Sequence, residues 1–392
     1  MTKRIRIAMI GQKGIPTRYG GVERHVEELS ADLVQRGFVV TAYTRPYYTP
    51  QHRRWHRGVQ LVSLPTVHTK HFDAITHTFF ASLHAIWKGH DVIHYHGVGP
   101  SLMSWLPRLL RPSTRVVTTF HCIDRHHEKW GLLARLMLQA GEWTATHFAH
   151  TTIAVSKTIQ TYIAEEYGRD SLYIPNGVSR SPRYSLRSVL RRFNLQRDAY
   201  FLAVTRLVQH KGVLELIRAY RASGSRLPLV IVGGSAATDR YVQQLHAEAA
   251  DLPQVKFLGY QSPRTVQSLF QGARAFVHAS RAEGLPIVVL EAMEAGVPII
   301  ASDIPEHREL LRPEIGGEYG RLFPVNDIDA LALQLKEIGR QSKQRLQVAG
   351  AAQRFVRRAL QWKSVSAKTA ELYDEQLEPK KQSVRVEDYS LA

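Results

Sequence analysis

Short apolar runs followed by stretches of helical period recur along this chain, and the alternation starts twice. Residues 5–11, Ile-Arg-Ile-Ala-Met-Ile-Gly, read as a strand, and Val22, Val26, Leu29 and Leu33 follow at spacings of four, three and four, the period of one helical face. Gly37 sits where that helix should stop, and 38–43 reads as the next strand, a βαβ start. Residues 45–60 are polar and read as irregular; strands are expected at 92–96, 115–120 and 151–155, with helices at 101–110 and 130–145. A break rich in Arg and Ser follows Ile-Pro-Asn-Gly-Val at 174–178, and then the pattern restarts. Strands are expected at 200–205, 229–232, 255–258, 275–279 and 298–301, and helices at 212–221, 263–271 and 286–295. Alternation of this kind builds a parallel sheet covered by helices. The expected organisation is a first Rossmann-like domain at 1–178, a linker at 179–198, a second Rossmann-like domain at 199–375, and a charged, mobile tail at 376–392.

A length of 392 residues, 44% of them hydrophobic, suffices for two full cores. No run of eighteen uncharged apolar residues occurs, and no apolar leader precedes the first strand, so a cytoplasmic location is expected. The single cysteine, Cys122, excludes an intrachain disulfide and any multi-cysteine metal centre. A net charge of +18 predicts attraction to polyanions. The arginines carry no interleaved aromatic ladder and no nucleic-acid motif, so the expected partner is an anionic membrane surface rather than nucleic acid.

The segment 283–291, Glu-Gly-Leu-Pro-Ile-Val-Val-Leu-Glu, sets two carboxylates eight positions apart around a Gly284-Leu285-Pro286 turn. Gly284 permits a close backbone approach, and Pro286 suits the first turn of a helix whose free N–H groups would face a diphosphate. Glu283 and Glu291 cannot favour phosphates, so they should accept hydrogen bonds from neutral hydroxyls such as those of a sugar and a ribose. Salt bridges to Arg281 and Arg308 are the bland alternative.

In the first domain, Gly11 and Gly14 lack the third glycine and the acid of a dinucleotide fingerprint, which disfavours a nicotinamide cofactor. Gly20 and Gly21 precede a helix, where their backbone could lie against a phosphate or serve as a hinge; Glu23 in the first turn could simply favour the helix dipole. His121 lies at the carboxyl end of a strand, where open α/β sheets bind ligands. His94 and His96 point to one side of their strand, and His126 and His127 lie near His121, but no carboxylate completes a metal-ligand pattern, so no metal is expected. Asp327 and Asp329 open a helix, where capping explains them. In the second domain, Arg206 ends a strand and Lys211 begins the next helix; together they could receive the charge that develops on a departing diphosphate.

Gly20-Gly21-Val22-Glu23, His121, Asn176-Gly177-Val178, Arg206 with Lys211, Gly233 and the Glu283-to-Glu291 segment, in this order over nearly the whole chain, resemble the retaining family 4 glycosyltransferases. The resemblance implies the GT-B fold, two facing Rossmann-like domains with the active site in the cleft between them. It implies that Arg206 and Lys211 hold the donor pyrophosphate, Glu283 the donor sugar and Glu291 the ribose, while His121 contacts the sugar from the other domain. Gly20, Gly21, Asn176, Gly233, Gly284, Leu285 and Pro286 are placed at the donor, Tyr260 in the base pocket, and Tyr19, Glu23 and His96 on the acceptor side. No cofactor and no metal are implied, the nucleotide-sugar being a co-substrate. Gly14-Ile15-Pro16 with Tyr19-Gly20-Gly21 is similar to a subgroup that includes bacterial rhamnosyltransferases, whereas 122–127 departs from the usual run. The expected function is transfer of a hexosyl or deoxyhexosyl group to a lipid-linked glycan at the inner face of the membrane. A sugar-nucleotide epimerase on the same fold, and a basic nucleic-acid binder with a vestigial pocket, are the competing readings.

Overall fold

The structure, a computed structural model, describes residues 4–377 apart from 68, 70, 71, 124, 126–130, 181, 183, 235–238, 315 and 339–341. His126, His127 and the tail from 378 onward therefore lie outside the described residues.

The first sheet contains β1 (Arg6–Ile10), β2 (Val39–Thr44), β3 (Trp55–His56), β4 (Val59–Ser63), β5 (Val92–His96), β6 (Arg115–Phe120), β7 (Thr151–Ala154) and β8 (Leu172–Tyr173). Their spatial order is β3-β4-β2-β1-β5-β6-β7-β8, parallel throughout except for the β3–β4 pair. The second sheet contains β9 (Phe201–Val204), β10 (Leu229–Val232), β11 (Val255–Phe257), β12 (Ala275–His278), β13 (Ile299–Ser302) and β14 (Arg321–Phe323), all parallel in the order β11-β10-β9-β12-β13-β14. In each sheet the order reverses beside the first strand, between β1 and β5 and between β9 and β12. Such reversals open a crevice at the carboxyl ends of the strands, where open α/β sheets bind ligands.

Helix Gly21–Gln35 forms as its spacing predicts, with Val26, Leu29 and Leu33 fully buried. Asp327 caps the helix Ile328–Ile338 by accepting from the Ala330 amide at 2.8 Å. Other elements depart from expectation. The stretch expected to be irregular carries β3 and the start of β4, and an unforeseen helix, Asp73–Lys88, follows it. That helix turns Ala81 and Ala85 inward and Phe79, Phe80 and Trp87 outward, which inverts the usual pattern of large apolar side chains on the buried face.

The expected linker at 179–198 contains a helix, Leu186–Arg192, and buries Leu190 and Leu195 in a cluster with Leu269 and Phe270 of the second domain. Asp198 pairs with Arg345 at 2.6 Å, so the end of this segment is fastened to the second domain as well. The chain passes between domains at two adjacent points: the Val178 amide donates to the Leu360 carbonyl, and the Trp362 amide to the Val178 carbonyl. The last helix, Trp362–Leu377, then packs on the first domain, where the Tyr373 hydroxyl lies 2.6 Å from Nδ1 of His94. The second domain thus gives up its chain near 361 rather than at 375, and residues 376 and 377 complete a helix instead of starting the tail.

Trp362 is buried against Gly177, where a Cβ would come within 2.8 Å of the indole, and against the ring of His25 at 5.2 Å. Trp362→Ala is therefore expected to cost about 3–5 kcal/mol. Urea denaturation beside the exposed control Lys363→Ala measures it, and equal midpoints for the two variants would contradict this packing.

Candidate active site

The loops at the carboxyl ends of β1, β5 and β6 face those following β9, β10 and β12. The domains meet most closely where Gly284 lies over the backbone of His121: a Cβ at 284 would stand 1.6 Å from the His121 carbonyl oxygen. The glycine expected to admit a ligand is here required by the opposite domain. Asn176, expected at the donor, is buried and joins the two domains: Nδ2 donates to the Leu285 carbonyl at 2.6 Å, and Oδ1 lies 2.8 Å from Nδ1 of His25. Tyr19 and Tyr260 approach across the cleft with ring centroids 5.3 Å apart, and the Tyr260 hydroxyl donates to the Gly234 carbonyl. Arg24 stands 3.9 Å from Glu291.

On the second-domain wall, Lys211 ends a short 3-10 turn and Gly212 follows in the left-handed region at φ 64°, its Cα tight against the Ala279 carbonyl. This brings Lys211 Nζ to 2.5 Å from Glu283 Oε1, and Nε2 of His278 lies 2.8 Å from the same oxygen. Burial would raise the Glu283 carboxyl, but Lys211 and His278 together outweigh it and hold it well below the usual carboxylate range. Burial pushes the Glu291 carboxyl up, Arg24 opposing and Glu28 reinforcing. Arg206 is exposed and makes no ion pair among the described residues. Gly233, at φ 132°, would drive a Cβ to 1.8 Å from the Thr205 carbonyl, so it is needed for the close approach of the β9 and β10 ends. Helix Ile287–Ala295 starts at this wall. Its first backbone bonds run from the Val289 and Leu290 amides to the Pro286 carbonyl, which leaves the N–H groups of the opening residues ahead of the intrahelical ladder.

The first-domain wall is a histidine stack. His94 and His96 have ring centroids 4.1 Å apart, Nδ1 of His96 lies 3.2 Å from Nε2 of His121, and His25 packs edge-on against His121 at 4.7 Å. Burial lowers His25 to about 4 and His94 to about 3, and holds His96 and His121 well below their ordinary value, so all four are neutral near pH 7. The sequence sets His94 and His96 on one side of a strand and His126 and His127 near His121; the last pair lies outside the described residues, and among those described one ring nitrogen each of His25, His96 and His121 lies within 4.8 Å of the others. Such a set could hold a metal ion, which would have to replace the His96–His121 hydrogen bond. Neither His25 nor His278 is expected as a site residue: His25 enters through a contact 151 positions away, whereas His278, at the end of β12, lies only five positions before Glu283. Glu23, placed on the acceptor side, accepts from the Lys13 amide at 3.0 Å and lies under Gly20, so its carboxylate fastens the β1 loop. Gly21 is exposed, and a Cβ there would meet nothing within 4 Å.

The family model described as Glycosyltransferase Family 4 matches residues 19–181, and that described as Glycosyl transferases group 1 matches residues 190–355. The chain belongs to the family 4 glycosyltransferases. It is 27% identical over 272 residues to O-antigen chain mannosyltransferase B of Escherichia coli, a match spanning 64% of this chain and 66% of that protein. The sucrose-phosphate synthase of Thermosynechococcus elongatus superposes with a TM-score of 0.81 at 21% identity, covering 95% of this chain and 99% of that one. HepE of Anabaena, solved with UDP and glucose, superposes at 0.79 with 19% identity over 95% and 100% of the two chains. The fold of this glycosyltransferase is GT-B.

Two predictions follow from the walls of the cleft. Gly284→Ala must part the domains at His121, and a displacement of that size should lower glycosyl transfer by about a hundredfold; an unaltered rate with an unaltered scattering radius would contradict the contact. The histidine stack binds protons more readily unfolded than folded, so stability should fall as pH drops from 6.5 towards 4, against the opposing contributions of Glu291 and of Glu306, whose carboxyl burial raises to about 7. Denaturant titrations across that window test the sign, and a stability that rises on acidification would refute it.

Proposed function

We propose that this enzyme transfers a hexosyl or deoxyhexosyl group from a nucleotide-sugar to a lipid-linked glycan during synthesis of a bacterial surface polysaccharide, with retention of configuration. The observation that carries the reading is the facing of two unlike walls across one closed cleft: Lys211, Arg206 and a helix start on one side, neutral histidines on the other. Cations and helix N–H groups suit a diphosphate, and neutral rings with a charged acceptor at Glu283 suit sugar hydroxyls. The curated relative in Escherichia coli is named for O-antigen chain mannosyl transfer, and HepE was solved with UDP and glucose, which favours this substrate class over the alternatives.

In this reading the bond between the anomeric carbon and the phosphate oxygen breaks with its electron pair on the diphosphate. Arg206 and the amides at the start of the helix at 287 stabilise the charge that develops there. The acceptor hydroxyl bonds the anomeric carbon on the same face, and its proton passes to the departing phosphate. Glu283, ion-paired and ionised, is poor as a nucleophile and good as a hydrogen-bond acceptor, which favours positioning over a covalent intermediate. No cofactor and no metal enter the scheme. The described residues contain no helix long and apolar enough to cross a membrane; the proposed place of action is the inner membrane face, where a net charge of +18 favours anionic lipid.

A thermal-shift panel of UDP, GDP, dTDP and ADP with their common sugars tests the donor site, because a ligand that binds the folded state alone raises the melting temperature. One base should shift it selectively, and Glu291→Ala should abolish that shift. Lys211→Ala and Glu283→Gln should each lower turnover by about a hundredfold or more while the protein stays folded. Wild-type rates in both would sink the site assignment, and donor consumption without acceptor would favour the epimerase reading.

A further inference from the structure

Three helices cover one face of the first sheet: Asp73–Lys88, Trp105–Leu110 and Leu132–His147. Alternation along the strands turns Ala8, Ile10, Tyr95 and Val116 toward this layer, while Ile7, Met9 and Val117 face the helix Gly21–Gln35 on the other side. The outer surface of the layer is apolar where solvent should favour polar groups. Leu132, Leu133 and Trp87 are 78%, 74% and 74% exposed, and Leu109 is 68% exposed. Phe80, Leu110 and Leu136 are exposed on the same helices. Apolar exposure on this scale marks an interaction surface.

The charges among these side chains have one sign. Lys88, Arg108 and Arg135 are exposed, and the Lys88 ammonium lies over the Trp87 ring at 4.1 Å. The two acids in the three helices are turned to other work. Asp73 is paired with Arg45 at 2.5 Å, and Glu142 is fully buried, accepting from the hydroxyls of Tyr162 and Tyr167. A cavity of about 330 Å³ is lined by Arg125, Leu132, Arg135, Leu136 and Gln139; Arg125 is paired there with Glu166, and Arg135 is exposed beside the leucines. Leucines and tryptophans with cations, on three helices that carry no exposed acid, match the layered chemistry of an anionic bilayer, apolar beneath phosphate.

We propose that this helical face is a docking surface for an anionic lipid bilayer. Helices Asp73–Lys88 and Leu132–His147 follow β4 and β6 at their carboxyl ends, so their first turns lie on the side of the cleft. Resting on the proposed lipid-linked acceptor for its purpose, the surface would hold the cleft mouth beside the leaflet from which that acceptor enters.

Flotation with vesicles of phosphatidylethanolamine containing about 30% phosphatidylglycerol, beside pure phosphatidylcholine vesicles, tests this on the full chain. The wild type should float with the anionic vesicles. Combined Leu132→Ser, Leu133→Ser and Leu136→Ser should lower partitioning at least about tenfold, and Lys88→Ser, Arg108→Ser and Arg135→Ser should each lower it roughly fivefold, in anionic vesicles only. All six changes are at exposed positions, so an unchanged melting temperature and an unchanged nucleotide-induced shift should accompany the loss. A wild type that stays unbound, or a leucine variant that floats like it, overturns the proposal. So does a wild-type dimer that the leucine changes dissociate, since the face would then belong to a second copy of the chain. Vesicle binding without any nucleotide response would uphold the docking surface and remove the proposed nucleotide-sugar site.

Discussion

The His121 carbonyl lies so near the Cα of Gly284 that the two backbones leave no room for a side chain, and the geometry of the cleft depends on that contact. It is backbone against backbone, so it holds the domain spacing without relying on a flexible side chain. Asn176 reinforces it by bonding His25 on one side and the Leu285 carbonyl on the other. One buried apolar cluster then continues from Phe120 and Ile159 of the first domain to Leu285 and Val289 of the second. Tyr173 and the Lys157 amide both donate to Glu309 across the same boundary. The two Rossmann-like units therefore share a core at the base of the cleft, and motion between them must act on these named contacts.

The contact also sets unlike electrostatic walls against each other. The first domain offers four buried imidazoles that burial keeps neutral, each ring able to donate or accept but carrying no charge to attract phosphate. The second domain carries the charge, with Lys211 and His278 fixed on Glu283 and Arg206 left exposed. On the proposed reading a diphosphate is favoured on one wall only, which would orient a nucleotide-sugar before any specific contact to its sugar is made. Charge in a desolvated setting acts more strongly than the same charge in water, so this asymmetry weighs more than the number of groups suggests.

Much of this was legible in the sequence, for identifiable reasons. The bounds of β10 follow from its apolar run between Pro228 and Gly233, and the helix expected at 286–295 forms one residue shorter, over Ile287–Ala295, with Pro286 and Gly296 at its ends. Sequence also marks the positions at the strand ends that line the cleft, since glycine and charge stand out after an apolar run. The partners those residues find are another matter. His25 meets Asn176 across 151 positions of chain, and Tyr373 meets His94 across 279. Nothing local encodes either pair. The segment 179–198 reads as a linker because Arg and Ser stand out in it, yet Leu190 and Leu195 are buried against the second domain, with Leu186, Val189 and Phe193 packed beside them.

Helix Asp73–Lys88 was missed for a different cause, and the cause is informative. Its large side chains point outward and its alanines inward, so a periodicity argument that assumes water outside finds no buried face. Local sequence rules tend to fail where function has overridden them. The same inversion recurs on Leu132–His147, and Trp105–Leu110, which buries Leu106, also exposes Leu109 and Leu110, so outward apolar side chains are a property of more than one helix. On the second domain, helix Val213–Ser223 buries Leu216, Ile217 and Tyr220 in the ordinary way. The chain thus follows the rules of a water-exposed fold in its second domain and suspends them on one side of the first, where the proposed bilayer would make outward leucine and tryptophan favourable.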